Sequence, residues 1–245
     1  MKGKTYIFFD LDGTLLSVNM DQFVQYYFKL LSDYFSDLYN PEYFVDIVNQ
    51  ATAAMIKNDG KITNREVFDQ KFFDLIELGK VSKEEIWERF HGFYNDVFPT
   101  LSEYFTIDNF GYQIVEIALD HNYELVIATN PLFPKQAIID RLRWMNLNPG
   151  DFRLITSYEN MHYCKPNINY YNEIIKKLNC TSNDCVMVGN DLRDDMVAKK
   201  LGIKTFLVED FEVKRAKVDI EPDWQGSRKE ILNYIKRGES DEKNY

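Results

Sequence analysis

Two aspartates near the start of the chain have the residue type and spacing needed for nucleophilic and acid–base chemistry. Asp10 and Asp12 belong to the segment Asp-Leu-Asp-Gly-Thr, which follows the apolar run at residues 6–9. Such a run predicts a buried β-strand, and in open α/β sheets ligands bind outside the carboxyl ends of the strands. At that position one carboxylate could attack a substrate while the other handles a proton. Gly13 gives the backbone the freedom to turn sharply away from the strand.

Three later segments contain groups that could bind phosphate oxygens or a metal ion. Thr129 and Asn130 end an apolar run, where a hydroxyl group and free backbone N–H groups could hold phosphate oxygens. Lys165 precedes a proline and offers a compact ammonium group to a phosphate or to crowded carboxylates. Asn190 and Asp191 follow a further apolar run, and side-chain oxygen atoms of this kind suit Mg²⁺. Read one at a time, these segments are also typical of ordinary strand ends and solvated loops.

The elements that must position these residues alternate along the second half of the chain. Short apolar runs, bounded by turn residues, alternate with stretches whose apolar residues recur at helical spacing. This alternation is typical of βαβ units and predicts an α/β fold, with a Rossmann-like parallel sheet covered on both faces by helices. The predicted strands are 6–9, 125–128, 154–156, 186–188 and 205–208, and the predicted helices are 135–145, 168–178 and 193–201.

The segment between the first strand and the rest of this pattern is predicted to be helical. Thr63 with Glu66 and Ser82 with Glu85 match the capping-box pattern, and each pair precedes an apolar stripe. A block of about ninety residues is too long for a crossover loop, so we predict an all-helical cap domain inserted into the core. The predicted organisation is core at 1–15, helical cap at 16–105, α/β core at 106–237 and a disordered tail at 238–245.

The order of these motifs resembles that of the haloacid dehalogenase-like (HAD) hydrolase superfamily. That family has Asp-x-Asp-Gly-Thr after its first strand, a Thr or Ser ending the second core strand, a later Lys and an acidic motif after the fourth strand. All four features occur here in that order, and the resemblance covers the chain except its tail. The family also has a helical cap directly after the first motif, in the place predicted for this chain.

The resemblance implies a role for each motif residue. Asp10 is expected to be the nucleophile and a metal ligand, and Asp12 the general acid and base, with its backbone carbonyl as a second ligand. Lys165 is expected to be catalytic and, together with Thr129 and Asn130, to bind the phosphate. Mg²⁺ is the implied cofactor, and an aspartyl-phosphate on Asp10 is the implied intermediate.

The acidic motif departs from the commonest family pattern, in which an Asp follows the Gly directly. Here Asn190 occupies that position and Asp191 comes next. Either Asn190 binds the metal through its amide oxygen, or Asp191 turns inward and binds it instead. We favour Asp191, because a carboxylate binds Mg²⁺ better than a neutral amide does. Asp195 is then expected outside the ligand set, and Asp194 is expected to be solvated.

These roles predict a magnesium-dependent phosphatase that acts on a small phosphorylated metabolite. Asp12 favours phosphoryl transfer over carbon–halogen cleavage, because dehalogenases that resemble this fold lack the second Asp and a departing halide needs no general acid. A capped site excludes bulk water and admits little beyond a small molecule. A phosphomutase with the same nucleophile is one alternative. A non-catalytic binding module with a degenerate site, suggested by Asn190, is another.

Composition limits the partners and the compartment. The chain of 245 residues carries a formal net charge of −10, which disfavours binding to a nucleic-acid backbone. Its three cysteines form no disulfide framework, and no stretch approaches the ~20 apolar residues of a membrane helix. We therefore predict a cytoplasmic protein without nucleic-acid or membrane partners. The sequence does not indicate an oligomeric state.

Four further residues have chemically active side chains outside the main motifs. Arg141 and Arg143 lie in a predicted helix and are expected on its solvated face. His162 is close to Lys165 in the sequence, and a place in the site and a structural place in the loop are equally compatible with it. Cys164 lacks metal-ligand spacing and is expected to be an inert buried thiol.

Overall fold

A sheet of six parallel strands forms the centre of the computed structural model, which describes residues 4–213 and 219–237. In chain order the strands are β1 (Tyr6–Phe9), β2 (Glu124–Ile127), β3 (Phe152–Ile155), β4 (Cys185–Gly189), β5 (Lys204–Val208) and β6 (Trp224–Gly226). Across the sheet they lie in the order β3-β2-β1-β4-β5-β6. The predicted α/β fold with a Rossmann-like parallel sheet is confirmed. The predicted disordered tail, 238–245, lies outside the described residues.

Helices cover the sheet and also form a block between β1 and the remaining strands. The α-helices of the described residues are α1 (Met20–Tyr34), α2 (Pro41–Ile56), α3 (Asn64–Leu75), α4 (Lys83–Gly92), α5 (Phe110–Asp120), α6 (Lys135–Trp144), α7 (Ile168–Leu178) and α8 (Arg228–Arg237). Both predicted capping boxes are present, at the starts of α3 and α4. In the parts of the chain that the structure describes, no helix combines the length and the apolar character needed to cross a membrane.

The segment after β4 differs from its prediction. In place of a helix over 193–201, the chain forms a turn followed by a 3₁₀ helix at Met196–Leu201. Asp191 accounts for the late start, because its Oδ1 accepts hydrogen bonds from the backbone N–H groups of Arg193 and Asp194 at 2.8 and 3.0 Å. A side chain that satisfies nearby N–H groups favours a turn over a regular helix.

The carboxyl ends of the three central strands meet at one edge of the sheet. Phe9, the last residue of β1, lies level with Ile127 of β2 and Val188 of β4. The pairing extends one residue further, since the N–H of Asp10 donates to the Val188 carbonyl at 2.8 Å. The segments that follow β1, β2 and β4, which carry most of the candidate residues, are therefore adjacent in space.

The helical block α1–α4 has a core of buried aromatic side chains and contacts the sheet domain through the start of α3. The N–H groups of Asn64 and Arg65 donate to the carbonyls of Met161 and Tyr158 at 2.9 and 2.8 Å. The first N–H groups of a helix have no partner within the helix and need one elsewhere. The loop that supplies these carbonyls leads directly into Lys165, so the block is fixed to the segment that carries the candidate lysine.

Gly13 occupies the turn after β1 with a φ of +79°, a conformation that disfavours residues with a Cβ atom. A Cβ at this position would also collide with the side-chain amide nitrogen of Asn190. Gly79 is a matched comparison: its φ is +58°, but no heavy atom of the described residues, apart from those of Gly79 and its two chain neighbours, lies within 4 Å of the Cβ position.

We expect Gly79→Ala to lower the free energy of unfolding by about 1 kcal/mol, through its backbone conformation alone. Gly13→Ala should lower it further, because the added methyl group must also displace Asn190. Urea unfolding of the two variants measures the difference. Equal losses would contradict the predicted steric contact between the β1 turn and Asn190.

Candidate active site

A buried lysine lies between two aspartates at the carboxyl edge of the sheet. The ammonium nitrogen of Lys165 is 2.8 Å from Asp10 Oδ1 and 2.6 Å from Asp195 Oδ1, and the lysine side chain is 2% exposed. Burial disfavours the charged ammonium, but the two carboxylates outweigh this effect and raise the pKa of Lys165 well above its ordinary value. Lys165 therefore remains cationic and offsets the repulsion between the two carboxylates.

Asp195 contacts Lys165 directly and also ties the loop after β4 to the lysine. Its second oxygen, Oδ2, accepts the backbone N–H of Asp191 at 3.0 Å. Gly189 makes this approach possible, because a Cβ at that position would overlap the Asp195 carboxylate. The sequence interpretation gave Asp195 no contact with the lysine, so this part of the cluster emerges only from the structure.

Thr129 and Asn130 hold the loop after β2 against the segment that carries the ammonium. Asn130 Oδ1 accepts the backbone N–H of Lys165 at 3.2 Å. The Thr129 carbonyl accepts hydrogen bonds from the hydroxyl groups of Thr156 and Tyr170, both at 2.8 Å. Asn130 therefore contacts the lysine segment directly, and Thr129, the residue before it, is held by Thr156 and Tyr170.

Asp12 is paired with Arg141, and the prediction that Arg141 lies on a solvated helix face is wrong. The arginine side chain is 1% exposed, and its Nη1 donates a hydrogen bond to Asp12 Oδ2. Its Nε donates to the Ala137 carbonyl at 3.2 Å. The guanidinium carbon lies 4.8 Å from the ring centroid of Phe133 and 5.5 Å from that of Phe23 in α1, distances typical of cation–π contacts. Arg141 therefore connects the β1 turn to the helical block.

The apolar periodicity of α6 contains the signal that identifies Arg141. Buried Ala137, Ile138 and Leu142 recur at helical spacing, and Arg141 falls on the same stripe. A charged residue on a buried stripe requires a partner of opposite charge, which Asp12 provides. Arg143 lies off this stripe and is 61% exposed, so the prediction of a solvated position is confirmed for Arg143.

Two atoms of the buried Asp12–Arg141 pair have no hydrogen-bond partner among the described residues: Asp12 Oδ1 and Arg141 Nη2. Burial raises the pKa of Asp12, although the Arg141 guanidinium opposes the shift. A buried polar atom without a partner is costly for the folded state and indicates a position where a ligand can supply the missing bond. Asp12 Oδ1 is therefore a buried acceptor whose hydrogen-bonding capacity the described residues leave unused.

The two candidate metal ligands after β4 have different orientations. Asn190 Nδ2 donates to the Phe211 carbonyl at 2.6 Å, and its Oδ1 lies 3.5 Å from the Thr14 hydroxyl. The same hydroxyl is 3.5 Å from Asp10 Oδ2. The amide oxygen of Asn190 is thus directed toward the β1 turn, whereas Asp191 Oδ1 accepts two N–H groups of its own turn.

Several oxygen atoms that suit a hard divalent cation lie where the turn after β1 meets the loop after β4. The Asp10 carboxylate and the Asn190 amide oxygen are the side-chain members of this set, and the Asp12 carbonyl belongs to the same turn. Within 4–213 and 219–237, no three His, Cys, Asp or Glu side chains form a metal-binding group, so this set depends on amide and carbonyl oxygens. Mg²⁺ keeps several waters and often binds only one or two carboxylates, so the residues present fit it.

Three further residues, near Lys165 or after β4, are not among these oxygen ligands. His162 Nδ1 is 2.8 Å from Glu173 Oε1 on α7, which gives the histidine a structural contact in the loop. Cys164 is buried as predicted, and burial raises the pKa of its thiol to about 12, so the thiol remains protonated. Asp194 was predicted to be solvated but is buried. The turn after β4 packs against α7 at this point, and the Asp194 carbonyl accepts a hydrogen bond from the Tyr171 hydroxyl at 2.7 Å.

We expect Arg141→Met to lower the free energy of unfolding by about 3 kcal/mol, because it leaves the buried Asp12 carboxylate without its cation. Arg143→Met is the matched control on the same helix and should change stability little, because its ion pair is exposed on the arginine side. Urea unfolding at neutral pH measures both. Similar losses for the two variants would show that the buried Asp12–Arg141 pair stabilises the fold no more than the exposed pair of Arg143 does.

The fold is similar to solved structures of proteins with different activities. The HAD phosphatase from Thermococcus onnurineus is 19% identical with a TM-score of 0.58, and the match covers 94% of this chain and 97% of that one. The 2-haloacid dehalogenase from Pseudomonas syringae is 19% identical with a TM-score of 0.63, over 94% and 99%. The HAD-hydrolase YfnB from Bacillus subtilis, bound to magnesium, is 20% identical with a TM-score of 0.55, over 95% and 98%. Identities this low establish a common fold alone.

The sequence itself identifies the family. No curated protein is significantly similar to the chain. The family model of haloacid dehalogenase-like hydrolases matches residues 7–208, a span that includes every candidate residue from Asp10 to Asp195. The resemblance carried by the four motifs is confirmed, and the chain belongs to the haloacid dehalogenase-like hydrolase family.

Proposed function

We propose that this protein is a magnesium-dependent phosphoric monoester hydrolase that acts on a small phosphorylated metabolite through an aspartyl-phosphate on Asp10. The observation that carries the proposal is the pair of buried carboxylates in the turn after β1. Asp10 is bound to the Lys165 ammonium, and Asp12 keeps an oxygen without a partner among the described residues. The proposed nucleophile, a cation and the proposed proton carrier therefore lie at the same edge of the sheet.

In the first step, Asp10 attacks phosphorus while the bond from phosphorus to the ester oxygen breaks. Lys165 holds Asp10 Oδ1, so the proposed attacking atom is Oδ2, whose 3.5 Å contact with Thr14 is long for a hydrogen bond. Asp12 Oδ1 gives its proton to the departing oxygen. Burial favours the protonated form that this step requires, because it raises the pKa of Asp12.

In the second step, water attacks the phosphorus of the aspartyl-phosphate and gives its proton to Asp12. Free phosphate leaves, and the nucleophilic carboxylate is restored. The Lys165 ammonium, the Thr129 hydroxyl and the backbone of Asn130 would offset the charge on the phosphoryl oxygens in both steps. Asp195 supports them as a positioning residue, since it holds the ammonium beside the nucleophile.

Mg²⁺, when bound, would supply positive charge that permits a dianionic phosphate to approach a carboxylate. The proposed ligands are the Asp10 carboxylate, the Asp12 backbone carbonyl and the Asn190 amide oxygen. The choice of Asn190 revises the preference for Asp191 drawn from the sequence. The Phe211 carbonyl binds the Asn190 amide nitrogen and so directs the amide oxygen toward the β1 turn, whereas Asp191 accepts N–H groups of its own turn.

Carbon–halogen cleavage is the main competing activity, because the similar structures include a dehalogenase as well as a phosphatase. Asp12 argues against carbon–halogen cleavage, because a halide leaves without accepting a proton and the reaction would not need a buried proton donor. A phosphomutase would share the first step but would pass the phosphoryl group to a second substrate oxygen. Free phosphate as the product separates a hydrolase from a mutase.

We further propose that the protein acts in the cytoplasm, without nucleic-acid or membrane partners. Its three cysteines are free thiols, and the sulfur atoms of Cys180 and Cys185 are 3.7 Å apart without a disulfide bond. A reducing compartment maintains thiols in this state. The net charge of −10 opposes association with a nucleic-acid backbone.

A panel of phosphate monoesters, assayed for free phosphate with Mg²⁺ and with EDTA, tests the proposed activity. We expect phosphate release with Mg²⁺ and its loss on chelation. Chloride release from 2-chloropropionate is measured in parallel. Halide release without phosphate release would overturn the phosphatase assignment in favour of a dehalogenase, and isomerised ester without free phosphate would overturn it in favour of a mutase.

We expect Asp10→Asn to lower kcat for phosphate release by at least about 10³-fold, because an amide oxygen is a poor nucleophile. Asp120→Asn, an exposed substitution on α5, is the matched control and should leave kcat unchanged. Circular dichroism and urea unfolding verify that both variants are folded. Activity near that of the wild type in folded Asp10→Asn would exclude Asp10 as the nucleophile.

Asn190→Ala should weaken Mg²⁺ binding more than Asp191→Ala does, because the Asn190 amide oxygen is directed toward the turn that carries Asp10. Isothermal titration of Mg²⁺ measures the two affinities directly, without reference to turnover. A larger loss for Asp191→Ala would assign the ligand to the carboxylate. Negligible losses for both would place the metal elsewhere.

A further inference from the structure

An apolar cavity of about 210 Å³ lies between the helical block and the sheet domain. Helices α1–α4 supply most of its wall, and loops of the sheet domain close it. More than half of the lining residues are aromatic, and none is acidic or basic. We call this space the aromatic chamber and define it by the lining residues Val24, Tyr27, Val48, Trp87, Tyr94 and Phe133.

Two side chains, Phe133 and Arg141, lie between the aromatic chamber and Asp12 in the turn after β1. Phe133 lines the chamber with its ring, and the guanidinium of Arg141 lies 4.8 Å from the centroid of that ring. The same guanidinium donates a hydrogen bond to Asp12. For a leaving group that departs beside Asp12, the chamber is therefore an adjacent apolar space, with Phe133 and Arg141 between the two.

Most of the hydroxyl groups in the chamber wall are already paired with protein atoms. The hydroxyls of Tyr27 and Tyr94 are bonded to each other at 2.9 Å, and the Thr52 hydroxyl donates to the Val48 carbonyl at 2.9 Å. Burial raises the pKa of Tyr27 to about 12, so its hydroxyl remains neutral. A leaving group with many hydroxyls would lose its water here and gain few hydrogen-bond partners, which is unfavourable.

From these observations we propose that the aromatic chamber receives an apolar, ring-sized part of the substrate's leaving group. The preferred substrates are then arylalkyl phosphate monoesters rather than polyhydroxylated ones such as sugar phosphates. The size agrees, because an apolar protein cavity of about 150 Å³ accommodates benzene, and this one holds a ring with a short arm. This assignment of a substrate class rests on the proposed phosphatase function.

Binding to the chamber can be measured without turnover. The probe is 4-nitrobenzyl alcohol, a neutral arylalkyl alcohol whose nitro group quenches tryptophan fluorescence. Trp87 lines the chamber, whereas Trp144 and Trp224 do not. We expect saturable quenching in the wild-type protein that is lost in Trp87→Phe.

Two substitutions reduce the chamber volume, and a third serves as a matched control. Val48→Phe fills the chamber from α2. Val24→Phe fills the chamber from its rim. Val24 is 36% exposed, so a larger side chain fits there without rearrangement of the core. Val45→Phe makes the same change on α2 but outside the chamber. Unfolding curves for all three establish which variants are folded.

Turnover then tests the substrate class. For the wild type we expect kcat/KM for 2-phenylethyl phosphate to exceed that for glycerol 3-phosphate by about 10-fold or more, since burial of a ring is worth more than the 1.4 kcal/mol that corresponds to this factor. The filling variants should lose this preference and the probe binding, whereas Val45→Phe should keep both.

The outcomes separate this inference from the proposed function. Phosphate release with equal kcat/KM for both esters, or quenching that persists in a folded filling variant, would overturn the chamber assignment and leave the phosphatase intact. Saturable quenching without phosphate release from any ester would overturn the phosphatase and, with it, the substrate class. Saturable quenching together with an arylalkyl preference supports both.

Discussion

A buried ammonium held between two carboxylates is the interaction on which the rest of this site depends. Without Lys165, Asp10 and Asp195 would be neighbouring negative charges away from water, an arrangement that is very unfavourable in a protein interior. Several features of the fold serve this contact. The register of β1 with β4 fixes the position of Asp10. Because Gly189 has no side chain, the Asp195 carboxylate can lie against its Cα, and Asn130 accepts a hydrogen bond from the backbone N–H of Lys165.

A second charged pair connects the site to the helical block. Arg141 neutralises Asp12 and lies against the ring of Phe23 in α1, while the start of α3 is bound to the loop that leads to Lys165. The block therefore contacts Arg141 directly, and it contacts the lysine through the loop that precedes Lys165. The same contacts that fix the helical block to the sheet domain also fix the segments that carry two of the charged side chains.

The fold alone does not decide the chemistry, since similar structures include a phosphatase and a dehalogenase. The distinction lies in a few atoms. In the proposed mechanism, Asp12 carries a proton to a leaving alkoxide, and the Asn190 amide oxygen is a proposed metal ligand together with Asp10. The proposed role of the aromatic chamber adds a further constraint, because walls without charged residues would favour leaving groups that do not need water.

The sequence by itself determined five of the six strands, the parallel sheet and the identity of the motif residues, because hydrophobic periodicity and short motifs are local properties of a chain. It did not indicate β6, whose three residues are too few to show a pattern. It did not determine partners between residues that are distant in the chain. Arg141 was predicted to lie on the surface, but in the structure it is paired with Asp12. Asp195 contacts Lys165, which is thirty residues earlier in the chain. The orientation of Asn190 depended on the Phe211 carbonyl, which no local pattern indicates. Such contacts are decided only when the tertiary fold brings the segments together, because their energy comes from burial and pairing rather than from spacing along the chain.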